Sequence, residues 1–471
     1  MKAAGHADPS NSRNNFVNDQ APPLTQKQTK SGHGGFSRVT RRGVLGVGAG
    51  TGLGWLLPAC GGTGNDSGPS PTPPSGGCTA ATRPHGPSVD PAKAAAIRAM
   101  ARDTIDHRFA RAVLLRVTVD GQEIITDAFG ESAQGVPATT DMHFRNGAVA
   151  IALVATLALR LVDESVISLD DTVGRWLPDL PHGERVTFRH LLQMTSGYAD
   201  YVQDPRFTDA FLANPYRAWT PVELLAYAVH KPLFFEPGKN WAYAHTNYVI
   251  LGLALERITG HPVKQLMQEK VLAPLCMTHT TDPQSPAIPQ PVLHAFSSER
   301  RGFLGVSPGV PFYEESSFWD PSWTITHGAV QVTDVYDLHT SAVAFGRGTL
   351  LSPASHAAQV STAFRGHTTP VEGCPTCFAH SNNYAFGLGV VLSGNWVMQT
   401  PMFGGYSAVA AYHEGGRVAI AVAVTYQAEA FDDAGNYKHG NEAEILFGRI
   451  GALLLPKDPP PIAQTLAKAV G

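Results

Sequence analysis

A continuous apolar stretch runs from Ala148 to Ala155, where eight consecutive positions carry no polar side chain. A helix that is apolar on every face must be buried in a large core or in a membrane. This stretch is bounded by Arg145 and Arg160, and it is too short and too rich in alanine to span a bilayer. The pattern therefore predicts a buried core helix.

Further helices and strands follow from the apolar spacing on either side of this stretch. Spacing of three to four residues predicts a helix over 91–104. Residues 112–119 and 123–129 predict two strands joined by a hairpin turn at Asp120-Gly121. Late strands and a closing helix are predicted at 386–392, 396–399, 408–412, 417–425 and 442–455. The order predicts an α+β fold: an antiparallel sheet flanked by N- and C-terminal helices, with a large, mainly helical insertion.

Composition and charge are those of a soluble globular protein with a sizeable core. The chain has 471 residues, of which 43% are apolar and 16% are charged. The net charge is −4, but residues 1–59 carry +5 and the remainder carries −9. A mildly acidic body gives no electrostatic reason to expect nucleic acid as a partner.

The first 59 residues have the pattern of an export signal. Residues 1–37 are polar and predict disorder. Arg41 and Arg42 precede a glycine-rich apolar run that ends at Leu57-Pro58-Ala59-Cys60. The paired arginines resemble a twin-arginine signal, and the last four residues resemble a bacterial lipobox with Cys60 as the lipidated residue. A transmembrane anchor is the alternative, which the glycine content and Pro58 disfavour.

The chain therefore divides into four predicted parts. Residues 1–59 are the signal, and residues 60–90 form a Gly/Ser/Pro-rich tether. Residues 91–456 form the folded domain, with its helical part at about 165–330, and residues 457–471 are a tail. This organisation predicts an exported protein held by a lipid on the outer face of the cytoplasmic membrane.

The cysteines agree with export. Cys60 is assigned to lipid, which leaves four cysteines with three ways to pair. Cys374 and Cys377 are spaced like a redox motif but lack its βαβ surroundings, so we predict a structural disulfide. A zinc site of this kind would need a second cysteine or histidine pair at ligand spacing, which the sequence lacks. The nineteen histidines contain neither HExxH nor His-x-His, so we predict no metal and no cofactor.

A series of short motifs resembles the serine β-lactamase and penicillin-binding protein family, in its class C β-lactamase and D-alanyl-D-alanine carboxypeptidase branch. The order and spacing of these motifs cover about residues 95–455 and imply that family's fold. The motifs are FRNG at 144–147, LDD at 169–171, WLP at 176–178, RHLL at 189–192, TSG at 195–197, PG at 237–238, YAHTNY at 243–248, PLCMT at 274–278 and GYS at 405–407.

The resemblance implies three catalytic elements around one cleft: S-x-x-K at a helix start, a Tyr-x-Asn loop, and a Lys-Thr-Gly or His-x-Gly strand. At the first element this chain has Ala148 in place of serine and Ile151 in place of lysine. At the second it keeps Tyr243 but has His245 in place of asparagine. At the third it has Gln399-Thr400-Pro401, and proline there lacks an N–H group. The catalytic motifs are therefore degenerate.

Other serines offer weak substitutes. No S-x-x-K occurs anywhere in the chain. Residues 305–309 match G-x-S-x-G but lack the strand and helix that this motif requires. Ser196 lies in the TSG segment, whose role in the family is structural. For His245, a hydrogen-bonded loop residue in place of asparagine is favoured over a new catalytic base.

Three functional hypotheses follow. The leading one is a catalytically silent envelope protein that binds a ligand or regulates, with a peptidoglycan peptide or an envelope enzyme as partner. The alternative is an active serine hydrolase (carboxypeptidase, esterase or β-lactamase-like) with a non-standard nucleophile. The third is a purely structural lipoprotein.

Overall fold

An antiparallel sheet of nine strands forms the centre of the fold in the computed structural model, which describes residues 86–325 and 332–461. Within these residues, four further short strands form two separate two-stranded sheets. The strands are β1 (Ala110–Val119), β2 (Gln122–Ala133), β3 (Val136–Pro137), β4 (Phe144–Arg145), β5 (Phe296–Ser297), β6 (Glu314–Glu315), β7 (Val332–Thr333), β8 (Ala385–Phe386), β9 (Val391–Ser393), β10 (Trp396–Gln399), β11 (Met402–Phe403), β12 (Tyr406–His413) and β13 (Val418–Tyr426). The helices are α1 (Pro91–Arg108), α2 (Val149–Asp163), α3 (Phe188–Leu192), α4 (Pro205–Ala213), α5 (Pro221–Ala226), α6 (His245–Thr259), α7 (Val263–Met267), α8 (Val335–Arg347), α9 (Pro353–Gln359) and α10 (Glu442–Leu454).

The strand order joins the two ends of the domain. The main sheet runs β3-β2-β1-β13-β12-β10-β9-β8, and β11 pairs with β12. Asp120 and Gly121 both have positive φ, 54° and 72°, as a tight hairpin turn between β1 and β2 requires. The predicted fold class, α+β on an antiparallel sheet, is confirmed.

Alternate residues of β13 pack against helices on opposite faces of the sheet. Ile420, Val422 and Val424 belong to the core that contains residues of α1 and α10. Ala421 and Ala423 belong to the second core, which contains residues of α8. The N- and C-terminal helices α1 and α10 therefore cover one face of the sheet, as predicted. Helix α8 covers the other face, whose alanine side chains allow it to approach closely.

Helix α2 is the core helix that the apolar stretch predicted. Twelve of its fifteen residues are buried, and it packs against α7, α8 and α9. The two-residue strand β4 leads into it and pairs with β7, so that Phe144 lies opposite Thr333. This ribbon fixes the place where α2 begins.

The helical insertion is shorter than predicted. Its helices lie between residues 173 and 272, whereas residues 278–325 are mostly loop with the two-residue strands β5 and β6. Repeated prolines in that part, which remove backbone donors, explain the difference. In the described part of the chain, no helix has the length and apolar character needed to cross a bilayer. The predicted signal with Arg41, Arg42 and Cys60, most of the tether, and tail residues 462–471 lie outside the described residues.

Candidate functional site

The position of the family's first catalytic element, called here the first segment, is the N-terminal turn of α2. Ala148 is its N-cap residue and makes no side-chain capping bond. The backbone N–H of Ile151 donates to the Ala148 carbonyl oxygen at 3.0 Å, so the two positions lie one turn apart. Ala148 is half-buried, whereas Ile151 is fully buried in the main core. The turn thus offers a methyl group at one position and core hydrocarbon at the other.

The third segment, Gln399-Thr400-Pro401, lies directly against this turn. Gly147 has a φ of 47°, and a Cβ placed on it would be only 2.6 Å from the Pro401 Cβ and 3.2 Å from the Phe403 ring. Glycine is therefore required at residue 147. Gly147 of the first segment and Pro401 of the third are therefore in close contact.

Gln399 is a structural residue rather than a cleft residue. It is 2% exposed, and its Nε2 donates to the Gly389 carbonyl oxygen at 2.7 Å. The carbonyl oxygens of Thr400 and Pro401 accept hydrogen bonds from the Asn441 side chain. These bonds join the end of β10 to neighbouring loops and leave the Pro401 ring facing Gly147.

The second segment, Tyr243 to His245, contains a buried histidine that pairs with a buried carboxylate. His245, the first residue of α6, directs its Nδ1 at the Asp200 Oδ2, 2.9 Å away, and its backbone N–H donates to the Asp200 Oδ1 at 3.1 Å. Both side chains are at most 5% exposed. The Tyr243 ring meets the His245 ring edge-on, with 5.2 Å between centroids. Asp200 therefore orients the imidazole beside the tyrosine.

Sequence reasoning missed Asp200 as part of this arrangement. It lies 45 residues before His245, and no local pattern joins the two. One signal was present: Asp200 follows the TSG motif and precedes a short turn, and its side chain accepts from the Val202 N–H. An aspartate in that position is ordinarily a turn-capping residue.

An aromatic cluster connects the three segments. Trp323 lies 6.1 Å from the His245 ring and 6.2 Å from the Phe403 ring, measured between centroids. Phe403 in turn contacts Gly147. The remaining members of this aromatic cluster are Tyr201, Phe207, Phe211, Trp219 and Tyr227. The rings of Tyr201, Phe207, Trp219 and Trp323 are at most 5% exposed, so this cluster is a packed core behind the segments.

Two buried polar side chains precede the turn. Arg145 is 2% exposed, and its Nη2 donates to the Pro286 carbonyl oxygen at 2.6 Å. Its Nε and Nη1, and the Asn146 Oδ1, have no hydrogen-bond partner among the described residues. Burial lowers the pKa of the Arg145 guanidinium, although the negative charges of Asp320 and Asp282 oppose that shift.

The alternative serines do not form nucleophile sites. Ser196 is fully buried, and its hydroxyl donates to the Asn247 side-chain oxygen. Ser307 is exposed in a loop, and residues 305–309 adjoin neither a strand nor a helix. The G-x-S-x-G match therefore lacks the elbow geometry.

Cys374 and Cys377 form a disulfide, with 5.5 Å between their Cα atoms. Both are buried against Ala242, and the Tyr243 N–H donates to the Thr376 carbonyl oxygen at 3.4 Å. The disulfide loop thus packs behind the second segment and holds the backbone that carries Tyr243.

Three metal-ligating side chains also come together outside these segments. One ligand atom each from His143, His279 and Asp334 lies within 4.8 Å of the others. The histidine patterns searched in the sequence gave no indication of this group, because its members are far apart along the chain.

The antiparallel sheet, the helices on both of its faces and the buried helix α2 define a domain of the β-lactamase and transpeptidase class. The chain belongs to the beta-lactamase family, whose sequence model matches residues 97–444. A D-stereospecific amidohydrolase from Streptomyces has a similar structure, with a TM-score of 0.59 and 26% identity over 76% of this chain and 98% of the other.

Curated relatives are similar over shorter lengths. Penicillin-binding protein 4 of Amycolatopsis lactamdurans is 30% identical over 229 residues, which are 46% of this chain and 55% of that protein. Esterase EstB of Burkholderia gladioli is 31% identical over 173 residues, 33% of this chain and 43% of the esterase. The chain thus spans about half or less of the length of these relatives. The match confirms the resemblance to the serine β-lactamase and penicillin-binding protein family.

Proposed function

We propose that this protein is a catalytically silent member of its family that binds a ligand or regulates a partner in the cell envelope. In this proposal it is exported by the signal around Arg41 and Arg42, and a lipid on Cys60 anchors it to the outer face of the cytoplasmic membrane. A peptidoglycan peptide is the proposed ligand, or an enzyme that acts on such peptides is the partner.

The first turn of α2 carries the proposal. The nucleophile position holds the Ala148 methyl group, and the position for its base, Ile151, is fully buried in hydrocarbon. In a serine protease, removing the nucleophile alone lowers turnover by about six orders of magnitude. Two such losses on one turn leave the cleft without the chemistry of S-x-x-K.

The third segment supports the same conclusion. Pro401 fills the space beside Gly147 with a ring, and a proline has no N–H to donate to a substrate at that strand edge. Gln399 donates its amide to Gly389 and is thus engaged with the interior.

A binding role agrees with what remains in the site. Phe403, a partly buried ring beside Gly147, is the aromatic surface proposed to pack against a ligand. Among the residues that the structure describes, polar side-chain atoms of Arg145 and Asn146 lack hydrogen-bond partners just before the turn. A relative that is named a penicillin-binding protein makes a peptidoglycan peptide the first ligand to test.

The alternative is an active hydrolase with a non-standard nucleophile, and one observation favours it. Asp200 and His245 have the geometry of a base and its orienting carboxylate, and they lie beside Tyr243. In this reading Tyr243 would be the nucleophile, or would activate a water molecule.

Covalent labelling separates the two functions. The purified protein is incubated with a fluorescent penicillin and with a chromogenic ester, and intact mass spectrometry then measures acyl adducts. The silent function predicts no adduct and no turnover above the uncatalysed reaction. A stable adduct on the wild-type protein would contradict it, and loss of that adduct in Tyr243→Phe would show that Tyr243 takes part in the reaction.

Restoring the lost groups provides a second test. We expect no adduct in Ala148→Ser alone, because the hydroxyl lacks a base, and an adduct only in Ala148→Ser with Ile151→Lys. Ile151→Lys places an ammonium group in the core, which is destabilising without a partner, so circular dichroism must first show that the variant is folded. Ile151→Met is the matched control for a change in core packing without charge.

Binding and anchoring need separate measurements. Calorimetric titration with a muropeptide ending in D-alanyl-D-alanine tests the ligand, and crosslinking in cells tests an enzyme partner. No response in either experiment would favour the purely structural lipoprotein. Replacement of Cys60 by alanine should release the protein from the membrane fraction, and Arg41→Lys with Arg42→Lys should block its export.

A further inference from the structure

Three metal-ligating side chains from distant parts of the chain meet at the ends of the β4–β7 ribbon. His143 directly precedes Phe144 of β4, and Asp334 directly follows Thr333 of β7. His279 comes from the loop after the helical insertion. The imidazole rings of His143 and His279 lie 5.7 Å apart, and the His279 Nδ1 is 3.8 Å from the Asp334 Oδ2.

The surrounding hydrogen bonds orient the two buried members. The Asp334 side chain is fully buried, and its Oδ1 accepts from the Tyr336 and Asp337 N–H groups at the start of α8. Those bonds direct the Oδ2 towards His279. The His143 Nδ1 lies 3.3 Å from the Pro291 carbonyl oxygen. A bond to a carbonyl requires the proton on Nδ1, so the Nε2 carries the lone pair that a metal needs.

The loop that carries His279 is attached to the same helix. The His279 N–H donates to the Asp337 Oδ2 at 2.9 Å, and the Thr280 hydroxyl donates to the same oxygen at 2.9 Å. These hydrogen bonds hold the His279 loop against α8, close to Asp334. Such outer contacts are typical of metal sites.

We propose that His143, His279 and Asp334 bind a divalent transition metal, with Zn²⁺ as the ion that suits them best. Two imidazole nitrogens and one carboxylate oxygen form a donor set that zinc prefers, whereas Mg²⁺ and Ca²⁺ require mainly oxygen ligands. Zinc bonds of about 2.0–2.1 Å place tetrahedral ligand atoms about 3.4 Å apart.

The observed spacing is close to that requirement. The three ligand atoms lie within 4.8 Å of one another, and the pair from His279 and Asp334 is already at 3.8 Å. The His279 side chain is 43% exposed, so it is able to move by the distance of at most about 1.4 Å that closure to tetrahedral spacing needs, and solvent can supply the fourth ligand. A bound ion would join the ends of β4 and β7 to the loop that carries His279. Of its ligands, His143 lies five residues before Ala148.

The test uses the full chain after treatment with EDTA and dialysis. Zn²⁺ is titrated while the melting temperature is recorded, and bound metal is measured after a second dialysis. We expect one strongly bound zinc per chain and a rise of a few °C in Tm at about one hundred times Kd. Mg²⁺ should give no such rise, and an equal response to Mg²⁺ would contradict a site with nitrogen ligands.

Variants assign the zinc to these residues. His279→Ala should lose the bound zinc and the rise in Tm, and Asp334→Asn, which keeps a side-chain oxygen to cap α8, should bind zinc at least about tenfold more weakly. His107→Ala is the matched control, since His107 forms an exposed pair with Asp103 at 3.0 Å, and Asp103 also binds Arg449. Equal zinc content and equal Tm rise in wild type and His279→Ala would overturn the proposal.

Discussion

Two buried histidines should make the domain lose stability in mild acid. His339 is 8% exposed, and its Nε2 lies 2.9 Å from the Thr118 hydroxyl. Burial, together with the positive charge of Arg116, lowers the pKa of His339 from 6.5 to about 3. His380 is 3% exposed, and burial with the charge of Arg365 lowers its pKa to about 4.

The direction of the effect follows from the two states. Below pH 6.5 the unfolded chain binds protons at both histidines, whereas the folded domain keeps them neutral until the pH approaches 4 and then 3. Their contribution is therefore fully present above pH 6.5 and is lost as the pH falls towards the folded pKa values. At pH 5 the loss is about 2 kcal/mol for each histidine.

Urea unfolding at pH 7.5 and at pH 5.0 measures this loss. Burial raises the pKa of Glu444 to about 7, which acts in the opposite direction, so the comparison is made between variants. His339→Gln removes the titrating group and retains an amide to pair with Thr118. We expect its free energy of unfolding to fall by about 2 kcal/mol less than that of the wild type between the two pH values. The exposed His107→Gln is the control.

Equal pH dependence in the wild type and His339→Gln would refute the reasoning. It would mean that His339 is protonated to the same extent in the folded and unfolded states. Burial and Arg116 would then not determine its pKa.

Two further substitutions test the packing behind the site. Gly389→Ala should lower the free energy of unfolding by at least about 2 kcal/mol, because its Cβ would lie 2.3 Å from the Ala155 Cβ at a φ of 76°; Gly260→Ala, with a φ of 70° and open space, controls for backbone strain alone. Asp200→Ala should lower the free energy of unfolding by about 1–3 kcal/mol, because it removes the carboxylate that accepts from the buried His245 imidazole and backbone N–H. An unchanged thermal unfolding temperature would contradict this stabilising role of Asp200.

Local patterns predicted the core helix, the first hairpin and the antiparallel sheet. The unbroken apolar run after Ala148 predicted α2 because a helix of that composition has no stable exposed face. Asp120-Gly121 predicted the hairpin because both residues tolerate positive φ. The predicted strand over 386–392 is interrupted, since Gly389 at a φ of 76° turns the chain against α2 and separates β8 from β9.

The contacts within the candidate site depend on residues that are distant in sequence. Asp200 reaches His245 across 45 residues, and His143, His279 and Asp334 meet only once β4 has paired with β7. No period along the chain encodes such meetings. The convergence of Gly147 with Pro401 was predicted only because the family's motif spacing places those segments around one cleft.

Two of the replacements in the first and third segments, Ile151 and Pro401, fill space with closely packed hydrocarbon. Burying the Ile151 side chain contributes about 1.5–3 kcal/mol, whereas a lysine in the same hydrocarbon would require a buried partner to retain its charge. Pro401 likewise fills the space against Gly147 that an open strand edge would leave to a substrate. Active sites usually retain strain and unpaired groups at a cost to stability. In this chain the turn that would carry the nucleophile has the composition of a core, which is what the proposed loss of catalysis predicts.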